Sequence, residues 1–394
     1  MPRSSLAALP MAALALPMAA LALCLAGCGS SSSTASYTKS STAAKPTSAV
    51  AATSAAAFIA PLSTATTLGS TEPANGDVTP YGLVLVPSSV GRLHAGELLV
   101  SNFNDKANDQ GTGTTIEQIT IAGKSSLFAT VNATSLPGSC PGGVGLTTAL
   151  NVLPGGYVVV GSLPTTDGKS ATAKDGCLIV LDSDGKAIET IAGAKIQGPW
   201  DSTAVSQGSM TTLFVSNALN GGAKKGIRTI DNSTVLRIRL QSGPGEAPKV
   251  LGERVIADEI PWVDSPEALV VGPTGLALAS NGTLYLADTL ANRITAIRQA
   301  LTRTTAAPGG GTTVTEGGHL KEPLGLALAP NGDIITTNAG DGDIVETTPA
   351  GKQLVARTAD TKTGAGSLFG LVVAPGNAGV YYVDDGENTL RLLH

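Results

Sequence analysis

Six polar side chains recur at one position of an internal repeat: Asn102, Ser162, Asn217, Asp288, Asn338 and Asp385 each close a short apolar run. Gathered around a common axis, oxygens of that kind would suit a hard cation. Each can equally bond backbone N–H groups of the turn that follows it, as Asn and Asp habitually do. One copy per repeat is what a fold requirement looks like, whereas a site usually needs asymmetry, so the structural role is the expected one. No cofactor is expected. Were a metal bound, Asp288 and Asp385, with Glu322 approaching the same axis, would be the carboxylates to hold it. Histidine is too sparse for much acid–base work: of His94, His319 and His394, only His319 has a carboxylate, Glu322, in its own loop. A general acid or base must reach a substrate proton, and the expected state of that pair is a solvated loop. Residues 102–111 carry enough oxygens to suggest calcium but lack the terminal Glu and the acidic spacing of an EF-hand loop, with Lys106 in their midst. A solvated loop is expected there too. There is no Gly-x-Ser-x-Gly elbow, no cysteine pair with metal spacing and no phosphate-cradling loop before a helix.

The elements that must position these residues are short strands. Most of Pro323-Leu324-Gly325-Leu326-Ala327-Leu328-Ala329-Pro330-Asn331-Gly332-Asp333-Ile334 recurs from Pro273 to Leu284. Apolar runs of this length, separated by Asn-Gly and Gly-rich turns that demand positive φ, read as blades of a β-propeller. Six units align on Gly82, Ala149, Asp201, Gly275, Gly325 and Gly370 at the opening of each inner strand. Second strands follow at 98–100, 157–160, 213–215, 284–286, 334–336 and 380–383. Third strands follow at 116–121, 178–181, 235–240, 294–297, 344–347 and 390–393. Polar insertions at 105–115 and 219–232 belong in surface loops. The chain stops after the sixth unit's third strand, while residues 55–68, with Phe58, Ile59 and Leu62, precede the first inner strand without a partner. An all-β, six-bladed propeller closed by an N-terminal outer strand satisfies both ends and covers an exposed sheet edge.

The fourth unit, from Pro273 to Asp288 and on through Asn292-Arg293-Ile294, resembles the NHL repeat, and the fifth and sixth resemble it well. The resemblance implies a propeller, usually with a binding surface, and no fixed chemistry. The layout also resembles the gluconolactonase-like hydrolases, which hold a divalent ion with a Glu, Asn residues around the funnel and an Asp after a second strand. In that group an Asn commonly stands just before the inner-strand Gly. Here those positions hold Tyr81, Thr148, Trp200, Thr274, Leu324 and Phe369, so that ligand is missing from every blade. The chain has only five Phe, two Trp and six Tyr, yet Tyr81, Trp200 and Phe369, with Leu324, share this one ring. Two readings stand: a concave apolar rim for a sugar face, a peptide or another protein, or a hydrophobic plug of the funnel. The expected job is non-catalytic binding of a protein, peptide or glycan at the cell envelope. The alternative is a metal-dependent hydrolase or lyase of the gluconolactonase-like group.

Residues 1–27 read as a signal peptide: an apolar Ala/Leu-rich run follows Arg3 and ends in Leu25-Ala26-Gly27-Cys28, which resembles a bacterial lipobox with Cys28 as the lipidated residue. Residues 28–54 are Ser, Thr and Ala with little else, a composition suited to a tether, and 55–394 form the propeller. The protein is expected to be exported and membrane-anchored through lipid, in the outer membrane where the source has two, since Gly29 rather than Asp follows Cys28. With 25 Lys and Arg against 30 Asp and Glu, and no basic cluster, nucleic acid is not an expected partner. A monomer is expected. Cys140 and Cys177 in an exported chain point to one disulfide, the alternative being two unconnected buried thiols.

Overall fold

The computed structural model describes residues 56–218, 229–243, 245–266 and 268–394. The segments read as signal peptide and tether, with Cys28, lie outside them, as does most of the second insertion. Strands dominate, and the helical segments among the described residues are three 3-10 turns. Six antiparallel sheets follow one another along the chain. Their inner strands are Val78–Leu85, Leu146–Leu153, Pro199–Gln207, Pro273–Leu278, Pro323–Leu328 and Leu368–Val373. All six anchor residues fall inside these strands, and the second and third strands sit where the repeat predicts them. The fold is a six-bladed β-propeller.

Each blade is buried on both faces, which is why its middle strands read as unbroken apolar runs rather than as alternating patterns. The core is accordingly split into layers between blades. Leu99 and Ile116 of the first blade pack with Val158 and Ile179 of the second. Val159 and Leu178 of the second pack with Leu213 and Ile238 of the third. Cys140 and Cys177 form a disulfide, Cα atoms 5.3 Å apart, that ties the approach to the second blade to the start of its own third strand. Cross-linking across 37 residues of chain restricts the unfolded state by about 3–4 kcal/mol in the loop-entropy account.

The ring closes through Ala65–Ser70, which pairs antiparallel with Thr389–Leu393 as the outer strand of the sixth blade. This corrects the expected extent of the closure, because Phe58, Ile59 and Leu62 are not part of that strand. They form a turn that wedges between blades five and six, where Ile59 and Leu62 pack with Ile335, Ile344, Leu368 and Tyr382. Buried Glu346 holds the turn: its carboxylate accepts the N–H groups of Phe58 at 2.8 Å and Ile59 at 2.7 Å. Arg357 adds a bond from Nε to the Leu62 carbonyl at 2.9 Å and another to that of Ala60. The N–H groups of Ser63 and Thr64 donate to the carbonyl of His394, so the approach to the outer strand is bonded directly to the end of the third strand.

The third blade departs most from expectation. Its third strand begins at Ile230, five positions before Val235, and pairs with a strand spanning Glu246–Ser265. Pro248 and Pro261 argue against a strand there, since proline lacks the ladder donor. The pairing accommodates them with register shifts, between Asp231 and Ser233 beside Pro261 and between Gln241 and Gly243 beside Pro248. Of the first insertion only the part around residues 105–110 is the solvated loop expected, with the Asp105 carboxylate accepting the N–H groups of Ala107 and Asp109, whereas residues 102–104 before it are buried strand and Gly111 and Gly113 within it are buried.

Candidate functional site

Why glycine opens most inner strands is visible in the packing around the axis. A Cβ built on Gly275, Gly325 or Gly370 would lie 2.3, 2.3 or 2.5 Å from the carbonyl oxygen of Leu324, Phe369 or Tyr81 in the next blade. No side chain fits there. Hydroxyls on the second strands clasp the same joints. Ser101 accepts the Gly82 N–H and donates to the Thr147 carbonyl at 2.8 Å, and Thr337 does the same between Gly325 and Phe369. These clasps stand one residue before the polar ring and escaped the sequence reading, although Ser101 and Thr337 occupy matching repeat positions.

The third blade breaks the pattern with Asp201. Its carboxylate accepts the N–H of Ser202 at 2.7 Å and the N–H of Leu276 in the fourth blade, so an acid stands where the other blades tolerate only Gly or Ala. Burial among these strands pushes its pKa up to about 7, against the lowering effect of both N–H groups. It is only part-buried, because one side faces a cavity of about 280 Å³ on the axis, lined by later residues of the inner strands, among them Leu83, Leu276 and Leu326 as well as Ser202 and Thr203.

At the opposite end, beside the first residues of the inner strands, lies a second cavity of about 290 Å³. Tyr81, Trp200, Leu324 and Phe369 all line it, as the repeat positions imply. They do so as a packed floor and not as an exposed rim, being 3–8% exposed. Tyr81 stacks on Phe369 with ring centroids 3.8 Å apart and on Phe103 at 4.8 Å, and Trp200 meets Phe103 edge-on at 5.4 Å. The rings thus plug the funnel, and the upper side of the plug is the base of a hollow. Phe103 was not anticipated. It follows Asn102 directly, in the position that holds Leu163, Ala218, Thr289 and Ala339 in other blades, which is the pattern that could have found it.

Register settles which acid reaches the cavity. Pro80 pairs with Asn102, Pro199 with Asn217, Pro273 with Asp288 and Pro323 with Asn338, whereas Leu368 pairs with Asp384. The sixth member of the polar ring is therefore Asp384, not Asp385, a correction of one residue. Asp384 is fully buried and bonded to Arg391 at 2.8 Å. Asp288 is spent in the same way on Arg293, also at 2.8 Å. The hydrogen bonds of the ring go to the fold itself, and four of its six members reach backward: Asn102 donates to the Thr71 carbonyl, Ser162 accepts the Gly145 N–H, Asn217 accepts those of Gln197 and Gly198, and Asn338 donates to the His319 carbonyl at 2.7 Å.

Displaced by one position, Asp385 lines the mouth cavity together with Glu322. Burial raises the Asp385 carboxyl to about 7, with the Thr79 hydroxyl pulling down and neighbouring Asp384 pushing up. Burial, and then the charge of Asp385, hold the Tyr81 phenol well above its ordinary range. The backbone around the mouth is held in unusual conformations, with φ of +64° at Thr79, +61° at Leu269 and +54° at Glu322. Asn side chains fix two of these: Asn388 accepts the Thr79 N–H at 2.8 Å and Asn292 that of Glu322 at 2.9 Å. His319 is not brought to the cavity; its N–H donates to Gln353, and the His319–Glu322 pair is not assembled as an acid–base unit.

No family model and no curated protein sequence matches the chain. Solved structures do. A gluconolactonase from Xanthomonas campestris superposes with a TM-score of 0.51 at 14% identity, over 83% of this chain and 88% of its own. A luciferin-regenerating enzyme gives 0.50 at 11% identity, over 83% and 94%. At such identities the likeness establishes the six-bladed fold. The metal that the gluconolactonase-like layout implies does not fit the residues present. Asp288 is locked to Arg293 outside the cavity, Asp385 and Glu322 are two carboxylates without a third, and among the described residues no three His, Cys, Asp or Glu side chains are grouped to hold an ion.

Proposed function

We propose that this chain is an NHL-like, lipid-anchored propeller of the cell envelope that binds, without chemistry, a small molecule or one projecting side chain of a peptide, protein or glycan partner in the mouth cavity. The observation that carries this reading is the cavity itself. Its volume of about 290 Å³ lies at the small end of ligand sites, its base is a preformed aromatic cluster, and few polar groups converge on it. The Thr274 and Thr289 hydroxyls bond each other at 2.8 Å and the Pro323 carbonyl, and Asp385 and Glu322 are the charged groups of the lining able to orient a guest, beside the polar ends of Tyr81, Trp200 and Ser265.

Ala339 lines the cavity and is only half-buried, so Ala339→Phe fills the space without opening a void elsewhere. Indole should raise the thermal midpoint of the parent protein and leave that of the Ala339→Phe variant unmoved. Equal stabilisation of both would place the guest elsewhere. A chelator-sensitive lactone hydrolysis by the purified protein would instead favour the hydrolase alternative. Anchoring is tested separately: Cys28→Ala should shift the protein from the membrane fraction to the soluble one, and unchanged retention through a high-salt wash would sink the lipoprotein reading.

A further inference from the structure

We propose that the mouth cavity is selective for an organic cation, an ammonium group carried on a compact apolar or aromatic body. This rests on the cavity being the binding site and adds the class of its guest. Among the described lining residues there are two carboxylates, Asp385 and Glu322, and no Lys, Arg or His. Three cations nearby in the fold are engaged elsewhere, Arg391 with Asp384, Asp360 and Glu387, Lys362 with Glu387, and Arg293 with Asp288, while Lys321, next to Glu322 in the chain, is exposed and does not line the cavity. None of them forms an ion pair with either cavity carboxylate. A negative charge beside apolar walls, without a protein counter-ion, is costly, and a guest that brings the positive charge relieves that cost.

The remaining walls suit the rest of such a guest. Tyr81, Trp200 and Phe369 present aromatic surface, which attracts ammonium groups through the ring quadrupole and covers their apolar stems. Glu322 is exposed at the rim but does not wander with its loop. Its N–H is held by Asn292, its carbonyl accepts the Ala339 N–H at 2.9 Å, and its backbone stays at positive φ. Asp385 and Glu322 thus line one cavity with an aromatic floor. An anion finds no donor side chain with a positive charge, and a neutral polar guest leaves the buried carboxylate uncompensated.

Titration calorimetry at pH 8 with phenethylammonium, 2-phenylethanol and phenylacetate tests the assignment, because the three share one apolar body and differ in charge. Phenethylammonium should bind at least about tenfold more tightly than the alcohol, the scale of one charge-assisted hydrogen bond, and phenylacetate should not bind. Asp385→Asn should bring the affinity ratio between the ammonium ion and the alcohol most of the way down to one, and Glu322→Gln, at an exposed position, should lower it part of the way. Equal affinity for the alcohol and the ammonium ion, or a preference untouched in both variants, overturns cation selectivity and leaves the cavity as a neutral site. Binding of none of the three overturns the cavity reading and this inference with it.

Discussion

Removal of residues 56–70 should lower the thermal midpoint of the propeller by on the order of 10 °C, the largest stability effect expected for any short segment. Three losses combine. The sixth blade is left with an open edge where Ala65–Ser70 paired with Thr389–Leu393. The wedge of Ile59 and Leu62 leaves the seam between blades five and six, costing about 1.5–3 kcal/mol for each buried side chain. The Glu346 carboxylate, which satisfied two N–H groups of the wedge, is then left buried without them. Glu346→Gln separates this last contribution, since an amide oxygen can accept one of the two bonds but carries no charge, and it should produce a smaller loss. Differential scanning calorimetry decides the matter. An unchanged midpoint after the deletion would show that the ring does not depend on its N-terminal closure.

Asp201→Asn is expected to make the protein more stable at pH 8 and no more stable at pH 4. The sign follows from linkage. In the unfolded chain the carboxyl releases its proton near 3.8, while in the folded ring burial raises that value to about 7. Between these limits the folded state holds a proton that the unfolded state has lost, so stability falls as pH rises, by up to about 1.4 kcal/mol per pH unit for this group. The contribution is complete below pH 4 and gone above pH 7. Asn keeps an oxygen to accept the Leu276 N–H and has nothing to ionise. Asp385, raised to about 7 by its own burial, adds a pH dependence of the same sense that the Asp201 variant retains. Urea unfolding at pH 5 and pH 8 should therefore show a smaller difference for Asp201→Asn than for the parent. Parallel losses in the two proteins would mean that Asp201 stays ionised in the folded channel.

Much of this architecture is written in local chemistry. Gly, Asn and Pro at fixed offsets demand particular turns, and runs such as Leu284–Asp288 or Val380–Asp384 have the composition of strands buried on both faces. Six such units specify six blades wherever each blade can fold on its own pattern. The reading weakened where the pattern did. The strand Glu246–Ser265 carries two prolines and survives through bulges, and the apolar residues 58–62 look like an edge strand but serve as a wedge. The wedge depends on partners far away in the chain that no local signal encodes, and the strand, although it pairs with its immediate neighbour Ile230–Gly243, holds that pairing through bulges that its composition does not announce.

The sequence by itself determined the propeller, its six inner-strand anchors, the shared ring of Tyr81, Trp200, Leu324 and Phe369, and the shortage of metal ligands. Only the tertiary structure decided what these residues do together. It packed the ring into a floor with Phe103, set Asp201 against Leu276 of the next blade, and sent Asp384 to Arg391 and Asp385 to the cavity. The reason is geometric. Strand composition and turns act over a few residues, whereas a one-residue choice of register turns a side chain from the interior of a blade to the axis, and that choice is made by the strand it pairs with.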